Sequence, residues 1–139
     1  MAAWRLIDHP AEAGVVARGR TRRGLFTVAA RGMLAILTGG AVVRGATRRL
    51  RVQVSAASDD ALLMAWLRAL LDRFERQRLL ARRWRFVTLR DGYLRAEVDA
   101  VRYDPRRQSL GAEIKAVTYH GLMVRRRRHG YEASVLFDV

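Results

Sequence analysis

Seven large apolar residues recur at helical spacing between Leu62 and Phe74, and no other feature restricts the fold of this chain as strongly. Leu62, Leu63, Trp66, Leu67, Leu70, Leu71 and Phe74 form one broad stripe that must face a core. Ser58 caps the helix, and Asp59 and Asp60 sit correctly against its positive end. The stripe is core rather than a cofactor box, so other elements have to cover it. A second helix starts at Thr21, carries Leu25, Phe26, Ala29, Met33, Leu34 and Leu37 at the same spacing, and stops at Gly39 and Gly40. Its first turn holds Arg22 and Arg23, the wrong sign for the helix dipole. That costs several tenths of a kcal/mol per charge and implies either a partner or simple tolerance.

The rest of the pattern is strand. Trp4 to Ile7 suits a first strand and Val15 to Arg18 a second, with Asp8 to Gly14 turning between them. Leu50 to Val54 alternates as a half-buried strand. Trp84 and Phe86 alternate with polar neighbours, Asp91 and Gly92 give a type I′ hairpin signal, and Tyr93 to Val101 returns. Glu113 to Tyr119 and Leu122 to Arg125 read as two strands flanking His120 and Gly121, and Tyr131 begins the last. Two amphipathic helices and about eight strands joined by tight turns predict an α+β fold, with the helices packed on largely antiparallel β-sheet. At 139 residues, with no internal repeat, linker or low-complexity tract, residues 1–139 are expected to form a single domain.

Composition narrows the function. The absence of cysteine removes disulfide scaffolds, thiolate zinc sites and cysteine nucleophiles. Asp8, His9, Pro10 and Glu12 interrupt the opening residues before a signal-peptide core can form, and the longest apolar stretch, Val28 to Leu37, contains Arg31 and is too short to cross a bilayer. A cytoplasmic protein without membrane attachment is expected. The net charge of +14 is concentrated: no acidic residue occurs between Ala13 and Ser58, where nine arginines lie. Such a field is either solvated surface or a face for RNA. The run Arg125 to Arg128 cannot be buried and should protrude toward the His129–Gly130 turn, as a solvated tip or as a contact for RNA or a protein partner. Lys115 is the single lysine among 27 basic residues. Its compact ammonium is either retained for a point-charge contact or left by chance. On a strand it would share a face with Val117 and Tyr119, and Lys115 and Tyr119 could line a polar surface together. His120 is either a turn histidine or a phosphate contact.

No nucleophile elbow, phosphate-binding loop or paired-histidine metal motif is present, so a catalytic engine is not supported. What remains are the carboxylates Asp8 and Glu12 near the start and Asp138 beside the terminal Val139. Oxygen donors of this kind suit Ca²⁺, Mg²⁺ or Mn²⁺ if the fold gathers them, and are otherwise a turn aspartate and a solvated chain end.

The pattern as a whole resembles the archease family. The resemblance is carried by Leu6-Ile7-Asp8-His9-Pro10-Ala11-Glu12, by Thr21 with Leu25-Phe26 and Ala29 to Met33, and by Leu62 to Leu67 with Leu70-Leu71. Its most specific part is Glu113 to Leu122, followed by Leu136-Phe137-Asp138-Val139. These blocks span nearly the whole chain in family order. The resemblance implies a single archease-like domain and a non-catalytic accessory protein of the RNA ligase that joins tRNA halves, promoting the ligase's guanylylation and multiple turnover in tRNA splicing or RNA repair. It further implies a divalent cation, Ca²⁺ first with Mg²⁺ or Mn²⁺ as alternatives. The cation would be held by Glu12, Asp138, the main-chain oxygen of Val139 and Asp8. Independently of the family, Lys115, His120 and His9 are candidate contacts for the partner or a nucleotide. Glu12 stands where the family has aspartate and adds one methylene, and Pro10 replaces a threonine. Arg22-Arg23-Gly24 and Arg68-Ala69 replace acidic family segments, which implies a differently charged partner surface. The alternative function is an RNA-binding or RNA-chaperone module acting through the arginine-rich surface.

Overall fold

A computed structural model describes residues 3–9, 12–41, 43–106 and 110–139. The chain runs β1 (Ala3–His9), β2 (Glu12–Gly19), α1 (Arg22–Thr38), β3 (Thr47–Ser55), α2 (Asp59–Gln77), β4 (Leu79–Arg90), β5 (Tyr93–Arg102), β6 (Ala116–Arg127) and β7 (Gly130–Asp138). The strands form a four-stranded sheet in the order β1-β2-β7-β6 and a three-stranded sheet in the order β3-β5-β4. All pairings are antiparallel, so the α+β architecture is the one expected.

Both helices touch both sheets: α1 packs on β1, β2, β7 and β4, and α2 on β6, β3, β4 and β5. This explains why their apolar surfaces are so wide, since each faces more than one layer. Trp66 of α2 lies near the centre of the resulting core, fully buried, edge-on to Trp84 and Phe86, and donating its indole N–H to the Phe26 carbonyl of α1 at 3.1 Å. The predicted caps are in place. Thr21 accepts from Gly24 N–H, Ser58 accepts from Ala61 N–H, and Gly39 closes α1 in the left-handed region. Among the described residues no helix is long and apolar enough to cross a membrane.

The wrong-sign arginines of α1 have partners within the fold. Arg22 reaches Asp59 at 3.4 Å and Asp91 at 2.7 Å, and Arg23 donates to the Phe86 carbonyl. The start of α1 is thus neutralised by the acidic start of α2 and by the β4–β5 turn.

Four local expectations are corrected. The first turn does not run from Asp8 to Gly14: β1 extends to His9 and β2 begins at Glu12, because the ladder continues through these polar positions. The Asp91–Gly92 turn is not type I′. That turn needs a positive φ at both central residues, whereas Gly92 has φ +76° and the single positive-φ non-glycine among the described residues is Arg78. Glu113 to Arg125 does not form two strands. β6 runs continuously from Ala116 to Arg127, with a register irregularity between Thr118 and Met123 where a turn was expected. The described residues therefore contain seven strands rather than about eight. Finally, the strand expected from Glu113 begins only at Ala116, so Lys115 precedes β6, and Val117 is buried in the core; the Tyr119 side chain lies outside the described ones.

β6 is an edge strand, and α2 covers its free side. Asp60 accepts Val124 N–H at 2.6 Å, and Arg68 donates to the Val117 carbonyl at 3.4 Å. Backbone groups that could template another strand are thereby partly occupied.

Candidate functional site

The β2–β7 ladder determines where the start of β2 and the end of β7 meet. Its register pairs Val15 with Val135, Ala13 with Phe137 and Glu12 with Asp138. The first two pairs belong to the core, so by strand alternation the Glu12 and Asp138 positions lie on the other face. Directly opposed positions in an antiparallel ladder lie about 4.5–5.5 Å apart at Cβ. Two carboxylate residues more than a hundred positions apart in sequence are therefore neighbours at one sheet corner. The corner is extended on both sides, with His9 opposite Glu12 on β1 and Ala116 opposite Asp138 on β6.

Asp138 is exposed, and its main-chain oxygen accepts Lys115 N–H at 2.7 Å. Val139 follows, half-buried and packed against the core. The segment leading to Lys115 is itself anchored to the end of α1: Gly111 N–H donates to the Leu37 carbonyl and Ala112 N–H to that of Ile36. The position of the corner is thus set by β2, by β7 and by a loop that satisfies helix-end carbonyls.

Not every expected site residue gathers there. Asp8 pairs with Ala13, so its position alternates with that of Glu12 and falls in phase with Ala13 and Phe137. His120 lies in the irregular stretch of β6 beyond Thr118, which pairs with Leu136, and so sits further along the sheet than Asp138. Lys115 is exposed and adjoins the corner through its backbone. The side chains of Asp8, His9, Glu12 and His120 lie outside the described ones. Among the described residues there is no group of three or more His, Cys, Asp or Glu side chains that could hold a metal.

The donor set at the corner is made of hard oxygen: the Asp138 carboxylate, the main-chain oxygen of Val139 and, by register, the carboxylate residue Glu12. This chemistry fits Ca²⁺, Mg²⁺ or Mn²⁺ and excludes a soft, sulfur-seeking ion. Sequence reasoning missed the Lys115 contact with Asp138, because an N–H to carbonyl bond leaves no trace in residue identity.

Two antiparallel sheets sharing two helices, with the start of β2 and the end of β7 brought to one acidic corner, define an α+β class built around the β2–β7 pairing. The Archease protein family (MTH1598/TM1083) matches residues 4–139, and the chain belongs to the archease family. It is 29% identical to the protein archease of Methanosarcina barkeri over 137 residues, covering 96% of this chain and 93% of the relative. With the archease of Sulfolobus acidocaldarius it shares 22% identity over 142 residues, covering both chains completely. Its fold is that of Methanobacterium thermoautotrophicum protein 1598, with a TM-score of 0.76 at 22% identity and 98% coverage of each chain. It is also that of a Thermotoga maritima archease described as a possible chaperone, with a TM-score of 0.69 at 20% identity, covering 97% of this chain and 96% of the other.

Proposed function

We propose that this chain is a non-catalytic accessory protein that binds a divalent cation at the β2–β7 corner and activates an RNA ligase, promoting its guanylylation and repeated turnover in tRNA splicing or RNA repair. The observation that supports this most directly is the register pairing of Glu12 with Asp138. Glu12, Asp138 and the main-chain oxygen of Val139 would hold the cation, Ca²⁺ before Mg²⁺ or Mn²⁺. The bound ion would supply charge screening for the phosphates of a guanylyl group. The chain's own contribution is placement. The Lys115 N–H fixes the Asp138 carbonyl, the core fixes Phe137 and Val139, and the exposed Asp138 carboxylate is left free to take the cation.

Asp138→Ala tests the proposal. The side chain is exposed, so the substitution should change stability by no more than about 0.5 kcal/mol. Multiple-turnover guanylylation of a cognate ligase should lose its stimulation. In the wild type, CaCl₂ at about a hundred times its Kd should stabilise the fold by about 2.7 kcal/mol, an increase absent from the variant. Unchanged turnover by Asp138→Ala would reject the ligase role, and an equal calcium response in both proteins would reject the metal site.

A further inference from the structure

The opposite end of the β2–β7 ladder carries a different chemistry. There the tip of β2 and the turn into α1, residues Arg18 to Arg20, lie against the β6–β7 hairpin tip, residues Arg127 to Glu132, and enclose an open groove of about 670 Å³. The close approach depends on glycine. Gly130 has φ +143°, and a Cβ there would stand 2.3 Å from the Gly19 oxygen and 2.8 Å from the Arg20 Cα. Two arginine-bearing tips that are remote in sequence are thus held side by side.

Among the described residues Glu132 is the one carboxylate lining this groove, and it is already engaged. Arg18 holds it at 2.7 Å and Arg127 at 2.9 Å. The hydrogen bond from Arg127, then that from Arg18, keeps its carboxyl below the ordinary value of 4.5 although burial acts the other way. Among the described residues Arg20, Arg128 and His129 have no carboxylate partner, and all three are exposed in the groove. A concave surface whose lining carries a strong excess of one sign of charge concentrates the field at its centre. The Tyr131 ring takes no part: Tyr131 pairs with Gly19, in phase with Ala133 and Val135, and packs against the core on the other face of the sheet. Guanidinium groups take phosphate oxygens in pairs, and four of them along one groove match the repeating charge of a phosphate backbone.

We infer that this groove binds the phosphate backbone of a nucleic acid, with Arg20 and Arg128 on phosphates. The site is separate from the acidic corner, and its test needs neither metal nor ligase.

The test is fluorescence anisotropy with labelled oligouridylate, titrated between about 50 and about 200 mM salt. The wild type should bind with a log K against log[salt] slope of about −0.7 per phosphate engaged. Arg20→Glu/Arg128→Glu should bind about tenfold more weakly at the lower salt and lose about 1.4 from the slope, two contacts' share. A charge-matched control, Arg44→Glu/Arg48→Glu, alters the other sheet's approach loop and β3, and should keep the wild-type slope. Should the glutamate pair fail to fold, Arg20→Gln/Arg128→Gln reads the same contacts. The inference is overturned if wild type does not bind, if the control loses as much as the groove variant, or if a polyglutamate peptide of equal charge binds as tightly as the oligonucleotide.

Discussion

Gly32→Ala should destabilise the protein even though it replaces the second-worst helix former with the best. In the middle of a helix that exchange alone would contribute about 1 kcal/mol of stability. Against it stands Val15 of β2, the strand α1 packs on most extensively. A methyl at position 32 would lie 2.6 Å from one γ carbon of Val15 and 2.9 Å from the other, about 1 Å inside ordinary carbon contact. Val15 cannot step aside. It is fully buried between Leu6 and Val135 in the ladder, it is β-branched and stiff at χ1, and rotation merely exchanges one crowded methyl for the other. The helix must instead lift from the sheet, an overpacking cost of about 2–3 kcal/mol. The net loss is about 1–2 kcal/mol. Urea unfolding followed by circular dichroism should show the midpoint falling by roughly 0.5–1 M with an unchanged slope. In a Val15→Ala background the same substitution should become neutral or stabilising, a coupling of about 2 kcal/mol. A midpoint that rises in the wild-type background, or additivity between the two changes, would refute the reasoning.

Two further outcomes follow from buried and charged contacts. Trp66→Phe should cost about 1–3 kcal/mol in urea unfolding, because the ring remains but the Phe26 carbonyl loses its 3.1 Å donor inside the core. Asp99 is held below its ordinary 3.8 by hydrogen bonds from Arg83 and then Arg49, against an opposing effect of burial. Its folded pKa being the lower one, its contribution is complete above the unfolded value and disappears as pH falls through the folded value. The urea midpoint should therefore decline on acidification below about pH 4, and Asp99→Asn should flatten that part of the profile; identical profiles would exclude Asp99 as a source.

The helices were legible because their signals are local: a hydroxyl cap, an apolar stripe and, for α1, a terminal glycine. The stop of α2 carried no such mark. Arg78 adopts φ 55° without being glycine, with its guanidinium 5.1 Å from the centre of the Phe74 ring and its N–H on the Phe74 carbonyl. Strand ends were harder to read: Asp8-His9 and His120-Gly121 look like turns, yet partners on β2 carry β1 through His9, and β6 continues across a register irregularity between Thr118 and Met123. The acids were visible as candidates, but their meeting was not. No spacing between Glu12 and Asp138 predicts a contact, and only the family resemblance suggested it before the β2–β7 register set the two positions opposite each other.

That register also separates two chemistries along one pair of strands. The eight residues of β2 span roughly 23 Å at about 3.3 Å per residue. At one end stand Glu12 and Asp138, and at the other Arg18 and Glu132 are paired across the same ladder. The excess positive charge is therefore not uniform. On the three-stranded sheet, Glu97 and Asp99 of the central strand engage Arg49, Arg83 and Arg85, so much of the arginine there is balanced within the fold. In the groove the single carboxylate is shared by two arginines, and Arg20 and Arg128 stay available to a ligand. Exposed charges separated by more than a Debye length of about 8 Å are largely screened, so the acidic corner and the arginine groove should act independently in physiological salt. Asp138→Ala should then leave oligonucleotide binding unchanged, and Arg20→Glu/Arg128→Glu should leave the calcium response unchanged. Crossed effects would mean that the two ends communicate through the β2–β7 ladder itself.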